Sequence, residues 1–295
     1  MIFPTSNKNY SRKYMTKSHS ILLILLSCLL VPSFGRELSY ASWNIRWESG
    51  KDIEEGNAWN KRKEPIANII KDHDFDIIGL QEGTPPRLKQ LMELLPDYEI
   101  IVSDTMEFNP IVVRKGMFTV ADFGRFYLSK TPEKKSKSWD SKHARYCTWA
   151  KLEFNQDSLY IFNVHFDYHG KDAQRESALL MNKKILAMAK EAPFIFAGDL
   201  NFTADSKSYK NLGTCIKMND SKDVADSAFA PNGSYNYFDP NKQSPWTFDH
   251  IMVSPLIKIH RYEILNETYL DNGMPRYPSD HSPVTIRFEF NGSKE

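Results

Sequence analysis

The chain has 295 residues and a nearly balanced charge, with 38 Lys and Arg against 37 Asp and Glu and a net charge of +1. This balance excludes a protein that coats nucleic acid through bulk positive charge. Any anionic ligand must therefore be attracted locally, by a metal ion or by a few basic side chains. The length suits one large domain or two small ones.

The first 35 residues predict a secretory signal peptide. Residues 1–20 are basic and contain no acid, residues 21–31 form an eleven-residue apolar run, and Ser33 and Gly35 supply small residues for cleavage. Eleven residues cannot span a bilayer core, which needs about 20. Met15 is an alternative start, since residues 15–35 form a complete signal by themselves. We therefore expect an exported protein, secreted or periplasmic, without a stable membrane span.

A lipid anchor at Cys28 is the weaker alternative, because the apolar run before Cys28 has only seven residues. Removing residues 1–35 takes away four basic residues and no acid, so the mature chain has a net charge of −3. No repeat or linker interrupts residues 36–295, which predicts a single catalytic domain, and we expect a monomer. An oxidising compartment permits a disulfide between Cys147 and Cys215. The strand-like surroundings of Cys147 favour a core position instead.

Apolar patterning in the mature chain predicts many strands and a few helices. Strand-like runs lie at 38–45, 77–80, 100–102, 111–113, 147–154, 159–164, 194–197, 250–253 and 284–290. Helical spacing of apolar residues predicts helices at 60–72, 86–95 and 171–190. This mixture favours an α/β protein with large sheets.

Polar side chains stand repeatedly where these apolar strands end or begin. Each one alone is explained by a turn or a helix cap. Six such positions together indicate a shared ligand site, because sites gather at the ends of packed strands. The residues are Asn44 and Arg46, Gln81 and Glu82, His165 and Asp167, Asp199 and Asn201, Asp249, and Asp280 with His281.

The residue types in this set suit phosphoester hydrolysis. They are carboxylates, amides and imidazoles without cysteine, and hard oxygen ligands without thiolate select Mg²⁺, or Mn²⁺, over zinc. A base for water beside a divalent cation is the chemistry of phosphoester cleavage. Glu82 and Asp280 have no Lys or Arg beside them in sequence, which favours a cation there. The sequence contains neither a phosphate-binding P-loop nor the Gly-x-Ser-x-Gly elbow of serine hydrolases.

Six motifs in this order resemble the endonuclease/exonuclease/phosphatase superfamily, from Tyr40 to Phe290, and the stretches at 108–115 and 145–150 resemble a bacterial branch near its deadenylase-like group. They are Ser-Trp-Asn44-Ile-Arg46, Leu-Gln-Glu82, Asn-Val-His165-Phe-Asp167, Gly-Asp199-Leu-Asn201, Asp249-His-Ile and Ser-Asp280-His281. The resemblance implies a DNase I-like α/β fold, a four-layer sandwich of two packed, mostly antiparallel sheets flanked by helices.

The resemblance also implies roles for these residues. Glu82 is the expected principal Mg²⁺ ligand, with Asn44 and Asp280 beside it. Asp199 orients or deprotonates water, and Asn201 holds a phosphate oxygen or a second metal. The expected contact of the scissile phosphate is His281, whose tautomer Asp249 fixes, with His165 as a second imidazole on the phosphate side or the acid for the leaving group.

The substrate depends on loops rather than on this core. Trp246, three residues before Asp249, stands where abasic-site nucleases of the superfamily place a pocket aromatic residue, and core packing is the alternative. Arg46 and Arg145 are the favoured additional phosphate contacts. We expect a phosphodiesterase or nuclease acting on a phosphoester, with nucleic acid a candidate. The alternatives are a phosphomonoesterase of inositol phosphates or phospholipids and, more remotely, a binding protein on a hydrolase core.

Overall fold

The computed structural model describes residues 36–101 and 108–290. The predicted signal peptide, including Met15 and Cys28, lies outside the described residues. The strands are β1 (Leu38–Asn44), β2 (Ile77–Gln81), β3 (Tyr98–Ile101), β4 (Ile111–Arg114), β5 (Thr119–Tyr127), β6 (Tyr146–Phe154), β7 (Asp157–His165), β8 (Phe194–Asp199), β9 (Asn219–Asp220), β10 (Ser227–Phe229), β11 (Asp249–Val253), β12 (Ile257–Ile264), β13 (Tyr269–Asp271), β14 (Met274–Arg276) and β15 (Val284–Phe290). The helices are α1 (Gly50–Glu54), α2 (Trp59–Asp72), α3 (Pro85–Leu94), α4 (Lys171–Ala189) and α5 (Ser221–Val224).

Two large sheets form the centre of the molecule. The first has the order β10-β12-β15-β1-β2-β4-β3, the second β5-β6-β7-β8-β11-β9, and β13 pairs with β14 in a separate hairpin. Most neighbours are antiparallel, whereas β1–β2, β7–β8 and β10–β12 are parallel. The predicted α/β architecture of two mostly antiparallel sheets is confirmed.

Alternating side chains along each strand supply two packing faces. In β1, Leu38 and Tyr40 join the core between the sheets, whereas Ala41 and Trp43 pack with residues of α2 and α3. In β8, Ile195 faces that same central core and Phe196 packs with residues of α4. The layers therefore run α2 and α3, first sheet, second sheet, α4. Each fully buried Ile, Leu or Phe contributes roughly 1.5–3 kcal/mol.

The parallel pairs bring the polar residues to one edge of the sandwich. Asn44 pairs with Gln81 at the ends of β1 and β2, and His165 pairs with Asp199 at the ends of β7 and β8. Asp249, the first residue of antiparallel β11, pairs with Asp199 from the other side. Carboxyl ends of parallel strands and the start of an antiparallel strand thus meet at the same place.

Cys147 and Cys215 are not joined. Cys147 is buried in β6, Cys215 is exposed, and no disulfide links them. The core position expected for Cys147 is the one observed. Within the described residues, no helix combines the length and the apolar character that crossing a membrane requires.

Candidate active site

Asp199 is the centre of the polar cluster. Its Oδ2 lies 3.4 Å from Nε2 of His165 and 3.8 Å from Nε2 of His281, and it accepts a hydrogen bond of 3.1 Å from the Asn44 amide. Its Oδ1 accepts the backbone N–H of Asn201 at 2.9 Å. Asp199 is 1% exposed, so a single carboxylate is shared among four polar neighbours away from bulk water.

Asp249 and His281 form a buried pair behind this carboxylate. Nδ1 of His281 lies 2.7 Å from Oδ2 of Asp249, which also accepts the Ser234 hydroxyl at 2.6 Å. Trp43 donates its indole N–H to the His281 carbonyl at 2.9 Å, and the Tyr235 ring meets the His281 ring edge-on at 5.0 Å. The imidazole is therefore fixed in one orientation, with Nε2 directed at Asp199.

Burial and neighbouring charges separate the pKa values of these groups. Burial alone lowers the pKa of His281, but Asp249 and Asp199 outweigh burial and raise it to about 10. Burial, together with Arg145 and His281, lowers the pKa of His165 well below its usual value. Burial raises the pKa of Asp199 to about 7, since the opposing effect of His281 is smaller. At neutral pH, His281 is a cation and His165 is neutral.

A second group of carboxylates faces the same space from the first sheet. Glu82 accepts the Asn44 amide at 3.2 Å and the Trp47 backbone N–H at 2.5 Å, and Nδ1 of His165 lies 4.0 Å from it. Asp280 accepts a guanidinium N–H of Arg46 at 3.0 Å. Burial and Glu82 raise the pKa of Asp280, whereas His281 and Arg46 act in the opposite direction.

Asn44 and Arg46 are both engaged with protein groups. The Asn44 amide joins Glu82 to Asp199, while its oxygen accepts the Arg46 backbone N–H at 2.9 Å. Arg46 bridges Asp280 to both oxygens of Asp52. Asn44 as a metal ligand and Arg46 as a substrate contact therefore stay predictions. Arg46 is the counter-ion that the local sequence around Asp280 lacks.

Sequence reasoning missed two residues that position this group. Asp52 is buried and accepts the Ser49 backbone N–H and hydroxyl in a capping box as well as the Arg46 guanidinium. The Ser-x-x-Asp pattern at 49–52 was the available signal. Arg62 of α2 is fully buried and donates to the carbonyls of Asn57, Ile45, Arg46 and Pro278. From the sequence alone, Arg62 is expected to be an ordinary charged residue on the solvent-exposed face of a helix.

Three strand-end residues of the site have left-handed backbone. The φ angles are +60° at Arg46, +63° at Glu82 and +54° at Asn201, a conformation that costs non-glycine residues about 1–3 kcal/mol. Strand β8 ends at Asp199, and the left-handed backbone of Asn201 follows two residues later. Gly198 is required here, because a Cβ would lie 1.9 Å from the Val164 carbonyl oxygen of the neighbouring strand.

A cavity of about 1150 Å³ opens over the cluster. Of the eleven predicted site residues, nine line it, whereas Asn44 and Asp249 lie behind it; the nine are Arg46, Glu82, Arg145, His165, Asp199, Asn201, Trp246, Asp280 and His281. Asn201 lines the cavity and donates its amide to the Phe166 carbonyl at 3.0 Å.

Arg145 and Trp246 lie at the cavity, as a substrate role requires. Nε of Arg145 is buried and has no hydrogen-bond partner among the described residues. Burial lowers the Arg145 pKa, and Asp199 and Glu82 act to raise it. Trp246 is 45% exposed and stacks on Phe248 with centroids 6.2 Å apart, so packing in the core is ruled out.

Two sets of ligands could hold a metal ion. Asp199, Asp249 and His281 offer atoms within 4.8 Å of one another, and Oδ1 of Asp249 is buried without a partner among the described residues. The shortest contact in that set is already the hydrogen bond between His281 and Asp249. Glu82 and Asp280 line the cavity together and offer only oxygen, which fits a hard divalent cation better.

Comparison with known proteins identifies relatives of this chain. Residues 41–281 match the model of the endonuclease/exonuclease/phosphatase family. Among solved structures, a mannosyl-6-phosphatase from Bacteroides thetaiotaomicron is 35% identical, with 86% of this chain and 100% of that chain covered and a TM-score of 0.82.

Two further solved structures are similar. A family protein from the same bacterium is 35% identical, with 86% of this chain and 98% of that chain covered and a TM-score of 0.82. One from Bacteroides vulgatus is 28% identical, with 87% of this chain and 100% of that chain covered and a TM-score of 0.78.

Proposed function

We propose that this chain, which belongs to the endonuclease/exonuclease/phosphatase family, is an exported Mg²⁺-dependent phosphatase of phosphorylated sugars. As a member of that family it is a metal-dependent phosphoester hydrolase. The observation that carries the proposal is the buried Asp199 carboxylate between His165 and His281, in a cavity shared with Glu82 and Asp280. The 35% identical mannosyl-6-phosphatase supports a sugar phosphate over the nucleic acid expected from sequence.

Glu82 and Asp280 are the residues that would hold Mg²⁺ or Mn²⁺. A bound ion would supply positive charge to the phosphate oxygens and so stabilise the charge that develops as water attacks. Asn44 and Arg46 hold the two carboxylates in place through the hydrogen bonds described above.

Asp199 and His281 perform the proton and charge chemistry. A pKa near 7 equips Asp199 to accept a proton from water at neutral pH. His281, charged and held by Asp249, donates Nε2–H to a phosphoryl oxygen. His165, kept neutral, serves as a hydrogen-bonding group beside the same phosphate. Its role as the acid for the leaving group stays a prediction, and its lowered pKa argues against it.

Phosphate release from mannose 6-phosphate tests this proposal. We expect release in Mg²⁺ or Mn²⁺, none in a chelator, and a loss of at least about 100-fold in Glu82→Gln, because an essential ligand is weakened. Glu93→Gln, on exposed α3 surface, is the matched control. Full activity in chelator would contradict the proposed metal dependence. A lack of activity on every sugar phosphate would contradict the proposed substrate class.

A nuclease is the second candidate, and exposed Trp246 favours it. Stacking of a base on Trp246 would contribute about 1–3 kcal/mol. If nucleic acid is the substrate, Trp246→Ala slows cleavage of oligonucleotides more than cleavage of bis-(p-nitrophenyl) phosphate, which carries no base. Equal rates for the folded variant and the parent on oligonucleotides would exclude this role.

A further inference from the structure

The walls of the cavity differ in chemistry. One wall carries Trp246, Phe248 and Tyr235, and it is aromatic. The lining also includes Lys135, His143 and Lys171, and we call these three residues the basic wall. Tyr168, which is 53% exposed, lies beside them with its ring 5.8 Å from that of His143.

The side chains of the basic wall form no ion pair with a carboxylate among the described residues. No ion pair involves Lys135, His143 or Lys171 among the described residues, and the Lys171 ammonium donates only to the neutral Gln174 side chain, at 3.1 Å. The acids nearby in sequence are engaged elsewhere. Glu133 pairs with Lys184, Asp172 and Glu176 pair with Arg175, and Asp140 and Asp167 accept backbone N–H groups.

Two carboxylates hold the basic wall in place. Oδ2 of Asp167 accepts the backbone N–H groups of Lys142 and His143 at 2.8 and 3.1 Å, and its Oδ1 accepts that of Gly170 at 2.8 Å. Oδ1 of Asp140 accepts the Ala173 backbone N–H at 2.7 Å. The loop before β6 and the start of α4 are therefore joined, which positions His143 and Lys171 at the cavity before any ligand arrives.

We propose that the basic wall binds a second phosphate group of the substrate, separate from the phosphate that is hydrolysed. This inference rests on the proposed function and narrows its substrate to bisphosphorylated sugars. The ammonium groups of Lys135 and Lys171, which form no ion pair among the described residues, concentrate anions at this part of the cleft. A contact remote from the reacting phosphate is made equally in the ground and transition states, so it acts on KM rather than on kcat.

The ratio of kcat/KM for mannose 1,6-bisphosphate to that for mannose 6-phosphate tests the basic wall. We expect a ratio well above one for the parent protein, which falls as salt rises because the charges are screened. Lys135→Ala and Lys171→Ala should each lower the ratio by about two- to fivefold through KM. Lys137→Ala is the matched control, since Lys137 is exposed on the same loop and does not line the cavity. A parent ratio near one, or a ratio that the two variants leave unchanged, would overturn the proposal.

Calorimetric binding in chelator, without turnover, separates this inference from the proposed function. The double variant Lys135→Ala/Lys171→Ala should lose affinity for mannose 1,6-bisphosphate relative to mannose 6-phosphate. That result would uphold the second-phosphate site even if neither sugar phosphate is hydrolysed, in which case only the proposed reaction fails. Equal affinities of the parent and the double variant for the bisphosphate would contradict the site.

Discussion

Three residues of this site have backbone angles that their residue types rarely adopt. Arg46, Glu82 and Asn201 all have positive φ, although only glycine adopts that conformation freely. The surrounding hydrogen bonds stabilise the strained positions: Glu82 by Asn44 and the Trp47 N–H, Asn201 by Asp199. The left-handed backbone directs these side chains into the cavity, whereas a continuing strand would direct them elsewhere.

The Asp249–His281 pair predicts strongly non-additive losses. His281→Ala and Asp249→Asn should each lower kcat by about 10²–10⁴-fold, because each removes the oriented imidazolium. Since the two residues act as a unit, the double variant should be little worse than His281→Ala. The measurement is kcat for the four proteins in Mg²⁺, with circular dichroism as the check on folding. Losses that multiply would show that the two residues act independently.

The sequence predicted which residues gather at the cavity, but not how they are connected. The strand-end pattern placed seven of its residues on one cavity, and Arg145 and Trp246 line it as well. It could not reveal that Arg46 pairs with Asp280, because the two are 234 positions apart. Nor could it mark Arg62, whose partners are four backbone carbonyls, since carbonyl groups leave no sequence signature.

At the scale of elements, buried strands were predicted more accurately than exposed ones. Strands β1, β2, β8 and β15 are almost wholly buried, and their predicted bounds agree with the observed ones within a few residues. β5 was missed, since most of its residues are exposed or half-buried and its sequence lacks a long apolar run. β12 was missed as well, because Lys258, His260 and Arg261 interrupt its pattern.

The Asp167 carboxylate predicts acid-sensitive stability of the loop before β6. Burial would raise its pKa, but hydrogen bonds from the backbone N–H groups of Gly170, His143 and His169 outweigh burial and lower it. A lowered pKa means that the stabilisation is complete above the unfolded value of about 3.9 and is lost as pH falls through the folded value.

Asp167→Asn tests this linkage. The variant should be destabilised by about 1–3 kcal/mol at pH 7, because an amide N–H₂ then faces backbone donors. The difference from the parent should shrink as pH falls below about 4, since protonation removes the carboxylate from the parent as well. Urea unfolding across this range measures it, with the exposed Asp97→Asn as control. A difference that stays constant with pH would contradict the assignment.

On the scale of the whole molecule, the sandwich explains why residues far apart in sequence converge. One parallel pair from each sheet, β1–β2 and β7–β8, has its carboxyl ends at the cavity. Under the cavity, the Gln81 amide donates to Asn163 at 2.8 Å and so ties the sheets together. The fold was predictable because family motifs span the mature chain. The substrate was not, because the walls are built from loops.

Export remains a prediction for the whole chain. Produced with its own leader in a bacterial host, the protein should leave the cytoplasm with an N-terminus near Arg36, since residues 1–35 carry the features of a cleaved signal. N-terminal sequencing of the exported fraction checks this. An intact cytoplasmic chain starting at Met1 would refute it, and an acylated Cys28 would establish the lipoprotein alternative.

The central claim of the proposed reaction is that water attacks the phosphorus atom of a phosphomonoester bound in this cavity. Hydrolysis of mannose 6-phosphate in ¹⁸O-labelled water, followed by mass spectrometry of both products, tests it most directly. The account predicts one ¹⁸O atom in each released phosphate and none in mannose, because the P–O bond breaks. Label in the sugar instead would show attack at carbon and contradict the account.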